Sequence, residues 1–356
     1  MTGPPTVKAW SASIPYLETR FPYMEHKNTA QVLNDVAQYL CDNWPRKTSD
    51  KPGDPFILHR DNAAFITYAL PGGLKGRIET TTLVGAVAFL LDDAVESQWT
   101  LAEKKQLFGR ISGLVLGTTT PIPRNQYEAV IVDVFARFRA TDKPGHPALG
   151  VKCCDEFIRW VNTATKQKNR VYISSQDSLE EYIECRYTDV GVWYRVFIQV
   201  VLELQLKSAC FRWTYSLLCW GYDLSLPEHI QDDPDMRAVD IIGARHAMLV
   251  NDLFSYDVEV NAAKENSKSG VDNMVVNAIP VVMKEKSLKE EEAVKLISSH
   301  IHQLEDEFLE IEAKLNAKYS GDDQKTCGRY ITALKHLFGG NLEWSRHCVR
   351  YHPAAE

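Results

Sequence analysis

The chain has 356 residues, 45% hydrophobic, 24% charged and 10% aromatic, a globular composition that excludes disordered and fibrous classes. Its 40 Lys+Arg against 47 Asp+Glu give a formal charge of −7, so a nucleic-acid backbone, which would want a basic face, is not the expected partner. That balance still admits a small anionic ligand held by a few local cations and a metal.

Helical periodicity dominates from end to end. The spacing predicts helices over Asn28–Asn43, Ile78–Ser97, Leu101–Val115, Asn125–Thr141, Val151–Thr165, Ser178–Cys219, Asp235–Glu259, Val271–Lys284, Ser287–Tyr319 and Gly328–Val349. In the ninth, Ser287 with Glu290 reads as a capping box. Behind it Val294, Ile297, Ile301, Leu304, Phe308, Ile311 and Leu315 make one apolar stripe. Pro71-Gly72-Gly73, Thr120-Pro121-Ile122-Pro123, Lys143-Pro144-Gly145-His146-Pro147 and Ser320-Gly321-Asp322-Asp323 read as breakers. Asp232-Asp233 and Asp322-Asp323 read as exposed turns. No strand alternation, repeat or long linker is visible, so the expectation is one all-α domain over 1–356, with 1–25 an irregular N-terminal segment.

Cys41, Cys153, Cys154, Cys185, Cys210, Cys219, Cys327 and Cys348 form neither a CxxC pair nor a zinc-spaced Cys/His cluster. They read as reduced, mostly buried thiols. Met1–Trp10 carries two prolines and no apolar signal core, and the longest apolar run, Leu83–Leu91, is too short to span a bilayer. The expected setting is cytoplasmic, with no membrane partner.

Two motifs carry oxygen ligands. Asp92, Asp93 and Glu96 end an apolar helix, and their three- and four-residue spacing puts all of them along one edge. Like charges so close call for solvent or a cation, and magnesium suits them because it takes one or two carboxylates and leaves positions for water and phosphate oxygens. Asn251, Ser255 and Glu259 place an amide oxygen, a hydroxyl and a carboxylate on successive turns of one face, after the apolar run Ala247–Val250. All three are hard donors for Mg²⁺. Each motif alone also reads as the solvated end of a helix. A third, cationic group comprises Arg186 and the terminal pair Arg350-Tyr351, a guanidinium fork and a phenol suited to phosphate oxygens.

Asp92-Asp93-x-x-Glu96 together with Asn251-Asp252-x-x-Ser255-x-x-x-Glu259 resembles the two metal motifs of class I terpene synthases. Gly340-Asn341-Leu342-Glu343-Trp344-Ser345 through Arg350-Tyr351-His352 is similar to their C-terminal Arg-Tyr motif, and Arg186 resembles their diphosphate-sensing arginine, with Asp189 and Val190 in the places of the linker and effector. The likeness is nearest to the cyclase half of fungal two-domain enzymes; five residues follow Tyr351, so no prenyltransferase half is expected.

The resemblance implies a helical bundle around a central apolar cavity and three Mg²⁺ gripping the diphosphate of a linear prenyl substrate. Asp92, Asp93, Glu96, Asn251, Ser255 and Glu259 would hold metal, and Arg186, Arg350 and Tyr351 would bind diphosphate. Phe65, Phe89, Trp193, Phe338 and Trp344, beside Asp189 and Val190, are the cavity candidates. Val258 stands where the family often has a basic residue; Lys264 and Lys268 are the substitutes considered. Farnesyl diphosphate is preferred to geranylgeranyl diphosphate as substrate, and the reading leaves room for a homodimer. A chain-elongating prenyl diphosphate synthase and a non-catalytic helical binding protein are the alternatives.

Overall fold

The structure, a computed structural model, describes residues 17–45, 60–97, 100–166, 175–189, 209–268 and 275–352. Among them are thirteen helices and no strand: α1 (Thr29–Asn43), α2 (Arg60–Ala69), α3 (Arg77–Ser97), α4 (Leu101–Leu116), α5 (Gln126–Arg139), α6 (Leu149–Lys166), α7 (Leu179–Asp189), α8 (Ala209–Gly221), α9 (Glu228–Gln231), α10 (Pro234–Lys268), α11 (Ala278–Lys286), α12 (Glu290–Lys318) and α13 (Gly321–His347).

Local chemistry accounts for many of the ends. Thr100 and Glu103 form a capping box at α4, and Gly117 closes that helix in the left-handed conformation (φ 72°). Asn125 accepts from the Glu128 amide at the start of α5, and Asn277 from Ile279 at the start of α11. The predicted capping box at Ser287 is absent. Ser287 sits at φ 54° and ends α11, its N–H on the Met283 carbonyl. α12 therefore starts at Glu290, with the Glu292 carboxylate accepting from the Lys289 amide at 3.0 Å.

α2 escaped the periodicity because Ala63, Ala64, Ile66, Thr67 and Ala69 are all buried, leaving no polar stripe to contrast with an apolar one. α13 begins at Gly321, two turns before its predicted start: Asp322 and Asp323 occupy its first turn, where anions favour the helix dipole. Asp233 is not an exposed turn residue but 4% exposed, accepting from Tyr319 Oη at 2.5 Å and the Asp235 amide at 2.8 Å. The predicted Ser178–Cys219 helix is described as α7 and α8, with 190–208 outside the described residues.

Two hydrophobic clusters fill the interior. The larger joins Val84 and Leu90 of α3, Ile111 of α4, Phe135 of α5, Phe157 of α6, Leu253 of α10, Ile279 of α11 and Ile301 of α12. The second collects Ile66 of α2, Leu218 of α8, Val239 and Ala244 of α10, Phe308 of α12 and Phe338 of α13. α13 comes unusually near α2 because Gly340 has no side chain: a Cβ there would lie 2.2 Å from the Tyr68 carbonyl oxygen. The non-helical segment from Leu17 is pinned, not loose: Thr19 Oγ1 and the Arg20 amide both donate to the buried Glu305 carboxylate, at 2.5 and 3.0 Å. Cys153, Cys154, Cys327 and Cys348 are buried, and no described helix is long and apolar enough to cross a membrane.

Candidate active site

α10 is the spine of the site. Asn251, Ser255 and Glu259 follow one another at one-turn intervals along it. Ser255 Oγ donates to Glu259 Oε1 at 2.7 Å. Burial pushes the Glu259 carboxyl up to about 7, and the negative charge of Asp252 adds to this; Ser255 and Arg186 pull the other way. Its Oε2 is buried and meets no donor at hydrogen-bonding geometry, with Asn277 as a polar neighbour. The Asn251 side-chain nitrogen donates to Tyr351 Oη, which leaves the amide oxygen as the atom available to a cation.

The residue beside Asn251 faces elsewhere. Asp252 is fully buried; its Oδ2 accepts from Tyr182 Oη at 2.5 Å and from the Ala278 amide at 3.0 Å. Its Oδ1 is 3.5 Å from Arg186 Nη2, and Arg186 is 13% exposed in its side chain. Tyr182 and Arg186 lie one turn apart on α7, so a single face of that helix meets Asp252. Neither Asp252 nor Tyr182 received a role from the sequence. The four-residue spacing of Tyr182 and Arg186 was a legible hint, but the burial of Asp252 belongs to tertiary packing.

The C-terminal residues close the other side. The Arg350 guanidinium lies over the Phe89 ring, 5.2 Å from its centroid. Phe89 stacks on Trp344 at 5.8 Å, Phe65 meets Trp344 edge-on at 5.2 Å, and Trp344 meets Tyr351 at 5.4 Å. A continuous series of contacts therefore runs from Asn251 on α10 through Tyr351 and Trp344 to Phe89 on α3. Burial raises the Tyr351 phenol well above its ordinary value.

Asp92, Asp93 and Glu96 fall on α3 just beyond Phe89, with side chains outside what the structure describes. Asp189 ends α7, its side chain likewise outside; Val190 and Trp193 lie outside the described residues altogether. Phe338 is not part of the aromatic group at Phe89. It is fully buried in the second cluster, against Phe21, Phe308 and His246, because Gly243 leaves a gap on α10 that its ring fills. Val258 is partly buried; Lys264 is exposed, and its charge acts on Asp257, while the Lys268 side chain is outside the description. Among the described residues no three His, Cys, Asp or Glu side chains converge on a metal-sized point.

Three comparisons bear on this arrangement. The sequence profile "Terpene synthase family 2, C-terminal metal binding" matches residues 198–307, which include Asn251, Ser255 and Glu259. Aristolochene synthase of Penicillium roqueforti is 24% identical over 334 residues, covering 94% of this chain and 87% of that protein. Ophiobolin F synthase of Cochliobolus heterostrophus is 24% identical over 346 residues, 93% of this chain but 40% of that longer protein. The fold matches the crystal structure of the Penicillium roqueforti aristolochene synthase with a TM-score of 0.73 at 22% identity, over 93% of this chain and 98% of that one. It matches germacradien-4-ol synthase of Streptomyces citricolor with a TM-score of 0.67 at 12% identity, over 94% and 99%. Helical architecture, motif order and sequence together support a likeness to class I terpene synthases. Residues 198–307 match that family's metal-binding domain, and these likenesses indicate an enzyme of the terpene-synthase kind, a lyase or cyclase.

Proposed function

We propose that the protein is a magnesium-dependent cyclase that ionises farnesyl diphosphate and closes the resulting cation into a cyclic C15 product. The observation that carries the reading is the run of contacts from Asn251 through Tyr351 and Trp344 to Phe89 and Arg350, which joins the oxygen-ligand helix to the helix bearing Asp92. The C15 preference is supported by the relative whose length this chain nearly spans, a synthase of the sesquiterpene aristolochene.

The donor set fits a hard cation. Glu259 Oε2 is buried with no donor at hydrogen-bonding geometry, a carboxylate oxygen placed to meet a cation. Asn251, Ser255 and Glu259 on one side, with Asp92, Asp93 and Glu96 on the other, would hold up to three Mg²⁺. When bound, magnesium supplies Lewis-acid neutralisation of the diphosphate leaving group.

The chain's own residues do the rest. Arg186, Arg350 and Tyr351 donate to diphosphate oxygens and orient the allylic C–O bond, and their fixed donors favour the charge that grows on the leaving group. Phe65, Phe89 and Trp344 form an apolar wall that keeps water from the cation, and an aromatic face open to the cation stabilises it by about 1–2 kcal/mol when desolvated.

The test is incubation of the purified chain with C15 and C20 prenyl diphosphates, with Mg²⁺ or with chelator, and mass spectrometry of the products. A cyclic C15 hydrocarbon or alcohol, formed only with metal, is expected. A longer linear diphosphate would mark an elongating synthase, and no product with either substrate would mark a binding protein.

A further inference from the structure

We infer that Asp252 is the positioning residue for Arg186: it aims the guanidinium at the diphosphate and couples its place to that of the neighbouring ligand Asn251. The inference rests on the proposed role of Arg186 as a diphosphate contact.

Asp252 is anchored through one carboxylate oxygen. Tyr182 Oη and the Ala278 amide both donate to Oδ2, at 2.5 and 3.0 Å, so Oδ1 is left towards Arg186 Nη2 at 3.5 Å. Its own backbone carbonyl accepts from Asn277 Nδ2 at 2.8 Å. One residue therefore ties α7, α10 and the first turn of α11 together. A neutral acceptor would suffice to join three helices, and a carboxylate wholly out of water is expensive to keep. What only the negative charge supplies is a fixed counter-ion for a mostly buried guanidinium. Arg186 must stay charged and must point where an anion arrives, and an arginine has many rotamers to lose. Tyr182, one turn before Arg186 on the same face of α7, fixes the carboxylate that in turn fixes the arginine. Because Asp252 follows Asn251 directly on α10, any shift of the metal-ligand face carries the Arg186 anchor with it.

A double-mutant cycle tests this: Asp252→Asn, Arg186→Gln and both together, with binding of inorganic diphosphate in Mg²⁺ measured by calorimetry and melting temperature followed in parallel. Asp252→Asn keeps the volume and an acceptor for Tyr182 while removing the charge. Alone it should weaken diphosphate binding by about fivefold or more, and on the Arg186→Gln background it should add nothing beyond about twofold. Equal losses on both backgrounds, or unchanged affinity with only a lowered melting temperature, would make Asp252 a purely structural link and overturn the inference. Should Asp252→Asn not fold, Tyr182→Phe serves in its place: it is expected to weaken diphosphate binding only when Arg186 is present, and unchanged affinity overturns the inference equally. Wild-type affinity in Arg186→Gln alone would instead overturn the diphosphate role of Arg186, a failure separable from that of Asp252.

Discussion

The phenol of Tyr351 receives the side-chain amide nitrogen of Asn251 from 100 residues earlier in the chain. The contact turns the amide so that its oxygen is the free end, which is the end a cation needs. Tyr351→Phe removes that acceptor without changing the ring. A lost hydrogen bond of this kind is worth about 0.5–1.5 kcal/mol, so the Mg²⁺ concentration giving half-maximal turnover should rise by about 2–12-fold. Asn251→Ala should abolish most turnover while circular dichroism shows the helices intact. An unchanged metal dependence in both variants would remove Asn251 from the metal site.

Phe89 serves as a platform for Arg350 and as a neighbour of Trp344. Phe89→Leu preserves most of the bulk but deletes the ring quadrupole, worth about 0.5–2 kcal/mol to a cation above it. Turnover should slow, and acyclic or monocyclic products should appear as the cation is released early. Phe89→Ala also opens space and should redirect the product mixture. Gas chromatography of both variants checks this; wild-type rate and product spectrum in each would leave Phe89 as core packing.

Gly340 lets α13 lie against α2, with the Tyr68 carbonyl oxygen 2.2 Å from where a Cβ would be. Backbone cannot rotate away as a side chain can, so Gly340→Ala must push the helices apart. Overpacking of this sort costs about 1–3 kcal/mol. A lower melting temperature is expected, with a loss of activity beyond that of Gly328→Ala, where a Cβ meets nothing within 4 Å. The difference arises because Trp344 rides one turn further along the displaced helix.

Asp240 offers a pH test away from the site. It is partly buried, accepts from Tyr330 Oη at 2.9 Å, and burial lifts its carboxyl from 3.8 to about 7. The folded chain then holds more protons than the unfolded one between those values, so stability falls as pH rises through this window and levels off above it. Asp240→Asn keeps an acceptor for Tyr330 and has no charge to bury. Its advantage in melting temperature over the wild type should therefore be larger at pH 8 than at pH 5. An equal difference at both values would show that Asp240 titrates normally.

How much of this was legible beforehand depends on the range of the interaction responsible. The α-helical class, the long stripe of α12 and the shared face of Asn251, Ser255 and Glu259 follow from a 3.6-residue period, which needs only local sequence. The acid and Arg-Tyr motifs likewise announced the class of chemistry, because ligand type and spacing are local facts. Tertiary structure decided the rest. Phe89 and Phe338 are both aromatic positions on apolar helices, yet one faces Arg350 and the other fills the gap above Gly243. Asp252 stands in the sequence only as the neighbour of a ligand; in the fold Tyr182, 70 residues away, and Ala278 close on it. α2 is hidden because burial on several sides erases the contrast that reveals a helix, and Ser287 reads as the start of the helix after it although its backbone ends the one before. Period and ligand type are written along the chain; which buried polar group meets which is settled only when distant segments exclude water together.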